Sequence, residues 1–124
     1  GAGIGDRFLG HVERCRVLLH LVDGTEEDVA ASYRTVRGEL VAYGHGLEDK
    51  NEIVALTKVD ALTEAERAEK AQALGRAAGK VPFLVSAPTG EGVDQVVIAL
   101  LKTIDQDMEA EAAALNTQPP EWRP

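Results

Sequence analysis

A lysine and an aspartate in the run Thr57-Lys58-Val59-Asp60 are the residues whose types and spacing best suit a binding site. Residues 53–56 before them are all apolar, as in a buried parallel strand. The pair should therefore lie at the carboxyl end of that strand, where open α/β sheets bind ligands. A carboxylate can accept hydrogen bonds from both N1–H and the N2 amine of guanine, a pair of donors that adenine does not present. The methylene stem of the lysine can lie along the flat base. The run predicts a guanine site, and the alternative is a solvated turn that binds nothing.

A second buried strand is predicted at residues 83–86, and it runs into a second candidate stretch, Ser86-Ala87-Pro88-Thr89-Gly90-Glu91-Gly92. Between the two stretches, Thr63-Glu64-Ala65-Glu66 has the pattern of a capping box that begins a helix. The two stretches resemble motifs of GTP-binding domains, an Asn/Thr-Lys-x-Asp motif and a Ser-Ala motif. In the Ser-Ala motif the serine supports the loop and a backbone N–H points at guanine O6. The order and approximate spacing of those domains are matched. The alternative for the second stretch is a turn before a helix that starts at Val93.

Composition limits the classes of protein to which the chain can belong. Its 124 residues suffice for one domain, and 44% apolar with 27% charged residues is typical of a globular protein. Thirteen basic against 21 acidic residues give a net charge of −8, which argues against a dedicated nucleic-acid surface. The single cysteine, Cys15, has no partner for an internal disulfide and fits a reducing compartment. We find no signal peptide and no apolar run near the roughly 20 residues that span a membrane. These features predict a cytoplasmic protein without a membrane partner.

Apolar periodicity divides the chain into alternating strands and helices. The predicted elements are a short helix at 6–13, a strand buried on both faces at 16–23, a helix with its N-cap at Thr25 that ends before Gly44, a strand at 53–56, a helix at 63–78 closed by Gly79, a strand at 83–86 and a final helix from Val93 to about Ala114. His20 is interpreted as a hydrogen-bonded core histidine, and Asp23 as the residue that organises the turn after the first strand. This alternation predicts the α/β class with a parallel sheet.

The opening of the chain carries a more specific resemblance. Phe8-Leu9-Gly10-His11-Val12-Glu13-Arg14, preceded by spaced glycines and followed by the apolar strand that ends in Asp23, is similar to the segment after the second switch in the Obg family of GTPases. With the two loop motifs, the resemblance covers roughly residues 1–104. It implies a three-layer P-loop NTPase-like parallel sheet, of which this chain holds only the three base-side strands and their helices. Residues 1–115 would be the C-terminal half of an Obg-type GTP-binding domain, and residues 116–124 a flexible tail.

The resemblance also implies a function. Obg-type proteins are GTP-hydrolysing enzymes of bacteria that act in assembly of the large ribosomal subunit, so the expected ligands are GTP or GDP with Mg²⁺ and the expected partner is that subunit. Carried over by position, Asp60 would read the guanine, Lys58 would pack on it, and Ser86 would support the loop from which the Ala87 N–H faces O6.

Two positions depart from the usual pattern of such domains. Thr57 stands where many GTPases have asparagine. A hydroxyl therefore replaces a whole amide in the loop of residues 57–60, which we call the base loop. Pro88 has no N–H, so a second backbone donor to O6 is lost there. Val59 and Pro88 are otherwise neighbours of the base-contacting residues.

The motifs that hold phosphate and magnesium are not found in this sequence. It contains no Gly-x-x-x-x-Gly-Lys-Ser/Thr and no Asp-x-x-Gly, and the glycines at residues 1–5 lack both a preceding strand and a following Gly-Lys. We therefore expect no catalytic residue and no metal ligand within these 124 residues, and no GTP hydrolysis by them alone. The Mg²⁺ ligands are expected in an N-terminal half of the domain.

Two other functions fit the same residues. One is another translation-factor-like GTPase subfamily, which shares the base motifs but not the Phe8 to Arg14 run. The other is a non-enzymatic α/β interaction module in which Lys58 and Asp60 bind nothing. Competition by guanine nucleotides would separate both GTPase functions from the interaction module.

Overall fold

The structure, a computed structural model, describes residues 16–115 and consists of a three-stranded parallel sheet with helices. The elements in chain order are β1 (Val17–Asp23), α1 (Val29–Tyr43), a 3-10 turn (Leu47–Asp49), β2 (Asn51–Thr57), a second 3-10 turn (Val59–Ala61), α2 (Glu64–Ala78), β3 (Phe83–Leu84) and α3 (Val93–Leu115). The predicted α/β class with a parallel sheet is confirmed. The helix predicted at 6–13, Cys15 and the tail at 116–124 lie outside the described residues.

The sheet has the order β1-β2-β3, so β2 is its central strand and the most deeply buried. Residues on its two faces belong to different clusters, as the alternation of a strand requires. Val54 and Leu56 pack with Val29 of α1 and Leu74 of α2. Ala55, which points the other way, packs with residues that include Val96 of α3. Helices α1 and α2 therefore cover one face of the sheet and α3 covers the other.

Strand β1 is not buried on both faces, which corrects the prediction from its apolar run. His20 and Val22 are buried, whereas Leu19 and Leu21 are 39% and 55% exposed. Leu21 pairs with Ala55 in the ladder, so it lies on the face that α3 covers. Among residues 16–115, β1 pairs only with β2, and at this edge α3 leaves the face of the sheet partly uncovered.

The N-cap of helix α1 lies three residues after the predicted one. Asp28 is the N-cap, and its carboxylate accepts a hydrogen bond from the Ala31 N–H at 3.0 Å. Thr25 instead donates its N–H and its hydroxyl to Oδ1 of Asp23, at 2.8 and 2.6 Å. Because both donors of Thr25 bind the Asp23 carboxylate, residues 23–25 form a turn and the helix starts only after it. The prediction that Asp23 organises this turn is confirmed, and the Thr25 cap is wrong.

The boundaries of α2 follow the local sequence closely. Thr63 and Glu66 form the predicted capping box, each side chain accepting from the other residue's backbone N–H at 3.1 and 2.9 Å. Gly79 closes the helix in the left-handed region at φ 73°, as predicted.

Strand β3 is shorter than the predicted run of residues 83–86. Val85 still donates its N–H to the Leu56 carbonyl at 2.9 Å, but the Ser86 N–H turns to the Glu91 carbonyl of its own loop at 2.9 Å. The loop takes over hydrogen bonds that a longer strand would have used. The final helix begins at Val93, as predicted.

A buried cluster of polar side chains joins β1, β2 and α1. Glu52 is only 5% exposed at its side chain, with Nδ1 of His20 at 3.0 Å from its Oε2 and the Tyr33 hydroxyl donating to its Oε1 at 2.6 Å. The His20 ring stacks on Tyr33 with centroids 4.7 Å apart, and an Arg37 nitrogen lies 3.5 Å from the carboxylate. His20 is therefore a hydrogen-bonded core residue, as predicted.

The pKa values in this cluster follow from burial and pairing. Burial acts to raise the pKa of Glu52, but the hydrogen bonds from His20 and Tyr33 and the Arg37 charge outweigh it and lower that pKa. Burial, followed by the hydrogen bond to Glu52, raises the pKa of Tyr33 to about 12. The stability contributed by Glu52 is thus fully present above its ordinary pKa of 4.5 and is lost as pH falls through its lowered folded-state pKa.

We expect Tyr33→Phe to lower the free energy of unfolding by about 1.5–3 kcal/mol at neutral pH, because the variant loses a hydrogen bond to a buried carboxylate. The difference from the parent should narrow in acid, where Glu52 is protonated and the lost bond is a weaker neutral one. Urea unfolding of both chains at neutral and acidic pH measures this. A difference that stays constant with pH would contradict the pairing of Tyr33 with the Glu52 carboxylate.

In the part of the chain that the structure describes, no helix has both the length and the apolar character needed to cross a membrane.

Candidate functional site

Three loops meet where the parallel strands end. They are residues 23–28 after β1, 57–63 after β2 and 85–92 after β3. Backbone hydrogen bonds join them, from the Gly24 N–H to the Thr57 carbonyl at 2.9 Å and from the Val59 N–H to the Val85 carbonyl at 3.3 Å. The two predicted motifs are therefore neighbours in space at the edge of an α/β sheet where ligands commonly bind.

The structure brings Asp60 and Ser86 into direct contact. The Ser86 hydroxyl donates to Oδ1 of Asp60 at 2.8 Å and accepts from the Thr89 N–H at 3.3 Å. Ser86 is completely buried, whereas Asp60 is exposed. Within residues 16–115, Oδ2 of Asp60 has no hydrogen-bond partner. A buried hydroxyl thus orients an exposed carboxylate whose second oxygen is available to a ligand.

The residue after Ser86 in the chain carries a backbone donor. Ala87 is exposed, and no acceptor among the described residues receives its N–H. Pro88, also exposed, contributes no N–H. The pair Asp60 and Ala87 therefore presents acceptors and one donor from two adjacent loops.

Lys58 adopts the left-handed backbone conformation, at φ 59° and ψ 31°, which is uncommon for a residue with a side chain. Its ammonium reaches Oδ2 of Asp23 at 2.8 Å while its side chain stays 61% exposed. The hydrogen bond from Lys58, followed by those from Thr25, lowers the pKa of Asp23 to about 2. The same bond raises the pKa of Lys58. The lysine is thereby held at the rim of the site as a cation.

Thr57 and Val59 have supporting positions. The Thr57 hydroxyl donates to the Val22 carbonyl at 3.3 Å, so it ties the base loop to β1. Val59 is fully buried in the core beneath the loop. Both residues belong to the predicted motif, and both anchor it from below.

Sequence reasoning missed two basic residues of α2 that hold these loops. Arg67 donates Nε–H to the Val59 carbonyl at 3.0 Å and an amino group to Oε2 of Glu91 at 2.8 Å. Lys70 donates to the carbonyls of Gly24 and Glu26 at 2.6 and 2.7 Å. The available signal was their i, i+3 spacing just after the capping box, which places both on one helix face near the loops.

Two glycines allow the loops to approach the strands closely. A Cβ on Gly92, whose φ is 74°, would lie 1.9 Å from the Leu84 carbonyl oxygen. A Cβ on Gly24 would lie 2.6 Å from the Thr57 carbonyl oxygen. Only glycine fits either position without moving backbone.

The described residues contain no group of three or more His, Cys, Asp or Glu side chains arranged to hold a metal ion.

A cavity of about 550 Å³ lies at the opposite, amino end of β1 and β2, away from the loops. Its Arg16 guanidinium is already paired with Asp107 and Glu111 of α3. The three loops carry the exposed Asp60 carboxylate, the Ala87 N–H and the Lys58 ammonium, so they hold hydrogen-bond acceptors, a donor and a cation.

No family model matches the chain.

Proposed function

We propose that Asp60, Lys58, Ser86 and Ala87 form the guanine-recognition site of a GTP-binding protein. The observation that supports the proposal is the 2.8 Å hydrogen bond from the buried Ser86 hydroxyl to the Asp60 carboxylate, next in the chain to an Ala87 N–H that no acceptor among residues 16–115 receives. This arrangement suits the edge of guanine, whose N1–H and N2 amine need acceptors next to an O6 that needs a donor. Adenine offers an amine where guanine has O6 and has no N1–H, so both contacts would be lost.

The exposure of Lys58 supports the same ligand. Its ammonium is paired with the Asp23 carboxylate, but the side chain stays 61% exposed, so its methylene stem is accessible to the face of a base. The Thr57 hydroxyl and the buried Val59 keep the loop in place beneath it. Thr57 stands where many GTPases have asparagine, and its hydroxyl supports the loop by donating to the Val22 carbonyl of β1.

The wider proposal is that these residues belong to a GTPase similar to the Obg family, in which the sheet is the base-side part of a P-loop NTPase-like fold. GTP or GDP would be the nucleotide, Mg²⁺ would be bound by residues outside the described part of the chain, and hydrolysis would be a property of the complete domain. Assembly of the large ribosomal subunit in the cytoplasm is the proposed cellular role. The support is the sequence resemblance together with the geometry of the loops after β2 and β3.

The test is an NMR titration of the isotope-labelled 124-residue chain with GMP and, separately, AMP. Because phosphate contacts supply much of the affinity in nucleotide sites, we expect weak, millimolar binding of GMP. Its saturable shifts should centre on the amides of Asp60 and Ala87, and AMP should leave both unchanged. Equal responses to GMP and AMP, or none to GMP, would contradict the proposal and favour an interaction module.

The same chain should not hydrolyse GTP above the buffer rate. Turnover that Lys58→Ala abolishes would show that the site is catalytic and not only a base-binding site.

A further inference from the structure

The two groups proposed to read guanine come from different loops. The Asp60 carboxylate belongs to the loop after β2, and the Ala87 N–H belongs to the loop after β3. Guanine is rigid, so its N1–H, N2 amine and O6 have fixed separations. Recognition therefore depends on how accurately the two loops are held relative to each other.

Arg67 contacts both loops at once through two different nitrogens. Its Nε–H donates to the Val59 carbonyl at 3.0 Å, directly before Asp60 in the chain. A terminal amino group donates to Oε2 of Glu91 at 2.8 Å, and the Glu91 carbonyl in turn accepts the Ser86 N–H at 2.9 Å, directly before Ala87. The planar guanidinium thus contacts the residue before Asp60 directly and is linked through Glu91 to the residue before Ala87.

The chemistry of arginine matters at this position. The guanidinium carries its donors in a fixed plane, so a bond to Val59 constrains the direction of the bond to Glu91. A lysine could keep the charge beside Glu91 but would present a rotating point donor to only one acceptor reliably. Arg67 is also 26% exposed at its side chain, so it is partly shielded from solvent.

We propose that Arg67, paired with Glu91, is the positioning residue that sets the separation of Asp60 and Ala87 and thereby the selectivity for guanine. The inference rests on the proposed function. Other contacts hold the loops as parts of the fold, including Val59 to Val85 and Ser86 to Asp60. The role of Arg67 is therefore in the accuracy of the site and not in folding.

The experiment compares the parent chain with Arg67→Lys, using GMP, IMP and AMP as ligands in NMR titrations. IMP keeps O6 and N1–H but lacks the N2 amine, so the ratio of GMP to IMP affinity reports how well Asp60 meets the base. We expect Arg67→Lys to weaken GMP binding severalfold and to reduce the preference for GMP over IMP. In the spectrum of Arg67→Lys without ligand, the amide signals of both Asp60 and Ala87 should be displaced from their positions in the parent.

Arg76→Gln is the matched control, because it removes an exposed arginine from the last turn of the same helix. It should leave affinity, selectivity and amide positions at parent values. Urea unfolding of all three chains identifies any loss of stability, which for Arg67→Lys should be small. Glu91→Gln should reproduce the selectivity change of Arg67→Lys, since it weakens the link from Arg67 to the loop after β3 at its other end.

The outcomes separate the two proposals. If the parent does not distinguish GMP from AMP, the proposed function fails and this inference fails with it. If the parent does distinguish them and Arg67→Lys retains its affinity and its GMP-to-IMP ratio, the inference alone is overturned. A uniform loss of GMP and IMP affinity that tracks lost stability would also overturn it, because it would show an ordinary structural ion pair.

Discussion

Asp60→Asn is expected to weaken binding of guanine nucleotides about tenfold or more. The substitution replaces a carboxylate that accepts from both N1–H and the N2 amine by an amide that turns a donor toward one of them. An unpaired donor at such a contact costs about 1–3 kcal/mol, and 1.4 kcal/mol is about tenfold in affinity. Xanthine offers an acceptor where guanine has its amine, so xanthine nucleotides should lose less affinity than guanine nucleotides, or gain it.

The measurement is a titration of parent and variant with GMP and XMP, or with GTP and XTP where a phosphate-binding half is joined to the chain. Asp105→Asn is the control, since this exposed acid lies on α3 two residues from Asp107, which pairs with Arg16 at the far end of β1. It should bind like the parent. If Asp60→Asn keeps the GMP affinity of the parent, Asp60 does not read the base.

Gly92→Ala is expected to destabilise the fold by about 3 kcal/mol or more, which would put it among the severe single substitutions. The left-handed backbone at Gly92 alone costs a residue with a Cβ about 1–2 kcal/mol. The new methyl would in addition lie 1.9 Å from the Leu84 carbonyl oxygen. Either β3 or the start of α3 must move to relieve that overlap.

Gly90→Ala separates the two causes. Gly90 has a similar φ of 79°, but nothing lies within 4 Å of a Cβ built there. It should show only the backbone cost, so that Gly92→Ala is clearly the less stable variant in urea unfolding. Equal losses in the two variants would mean that the overlap with Leu84 is relieved without cost. Base binding should weaken with Gly92→Ala as well, because β3 leads directly into Ser86 and Ala87.

The sequence by itself determined the α/β class, the order and approximate position of the described strands and α-helices, and the placement of both candidate motifs at strand ends. These features depend on local rules. Apolar runs indicate buried strands, and the Thr63–Glu66 capping box and Gly79 act within a few residues of the helix ends that they define. Predicting that Asp60 and Ser86 share a site also needed only the parallel arrangement, which brings the carboxyl ends of neighbouring strands together. The family and the activity remain predictions from resemblance.

The tertiary structure decided which polar groups actually meet. Asp23 and Lys58 are 35 residues apart, His20 and Glu52 are 32 apart, and Arg67 and Glu91 are 24 apart, so their pairing depends on sheet register and on how α2 packs. The same long-range packing left Leu19 and Leu21 exposed although their strand is apolar except for His20 and Asp23. It also turned the Ser86 N–H toward Glu91 and so ended β3 early. Hydrophobic pattern specifies an element and its buried face, but the partner across the sheet determines where each side chain finds its hydrogen bond.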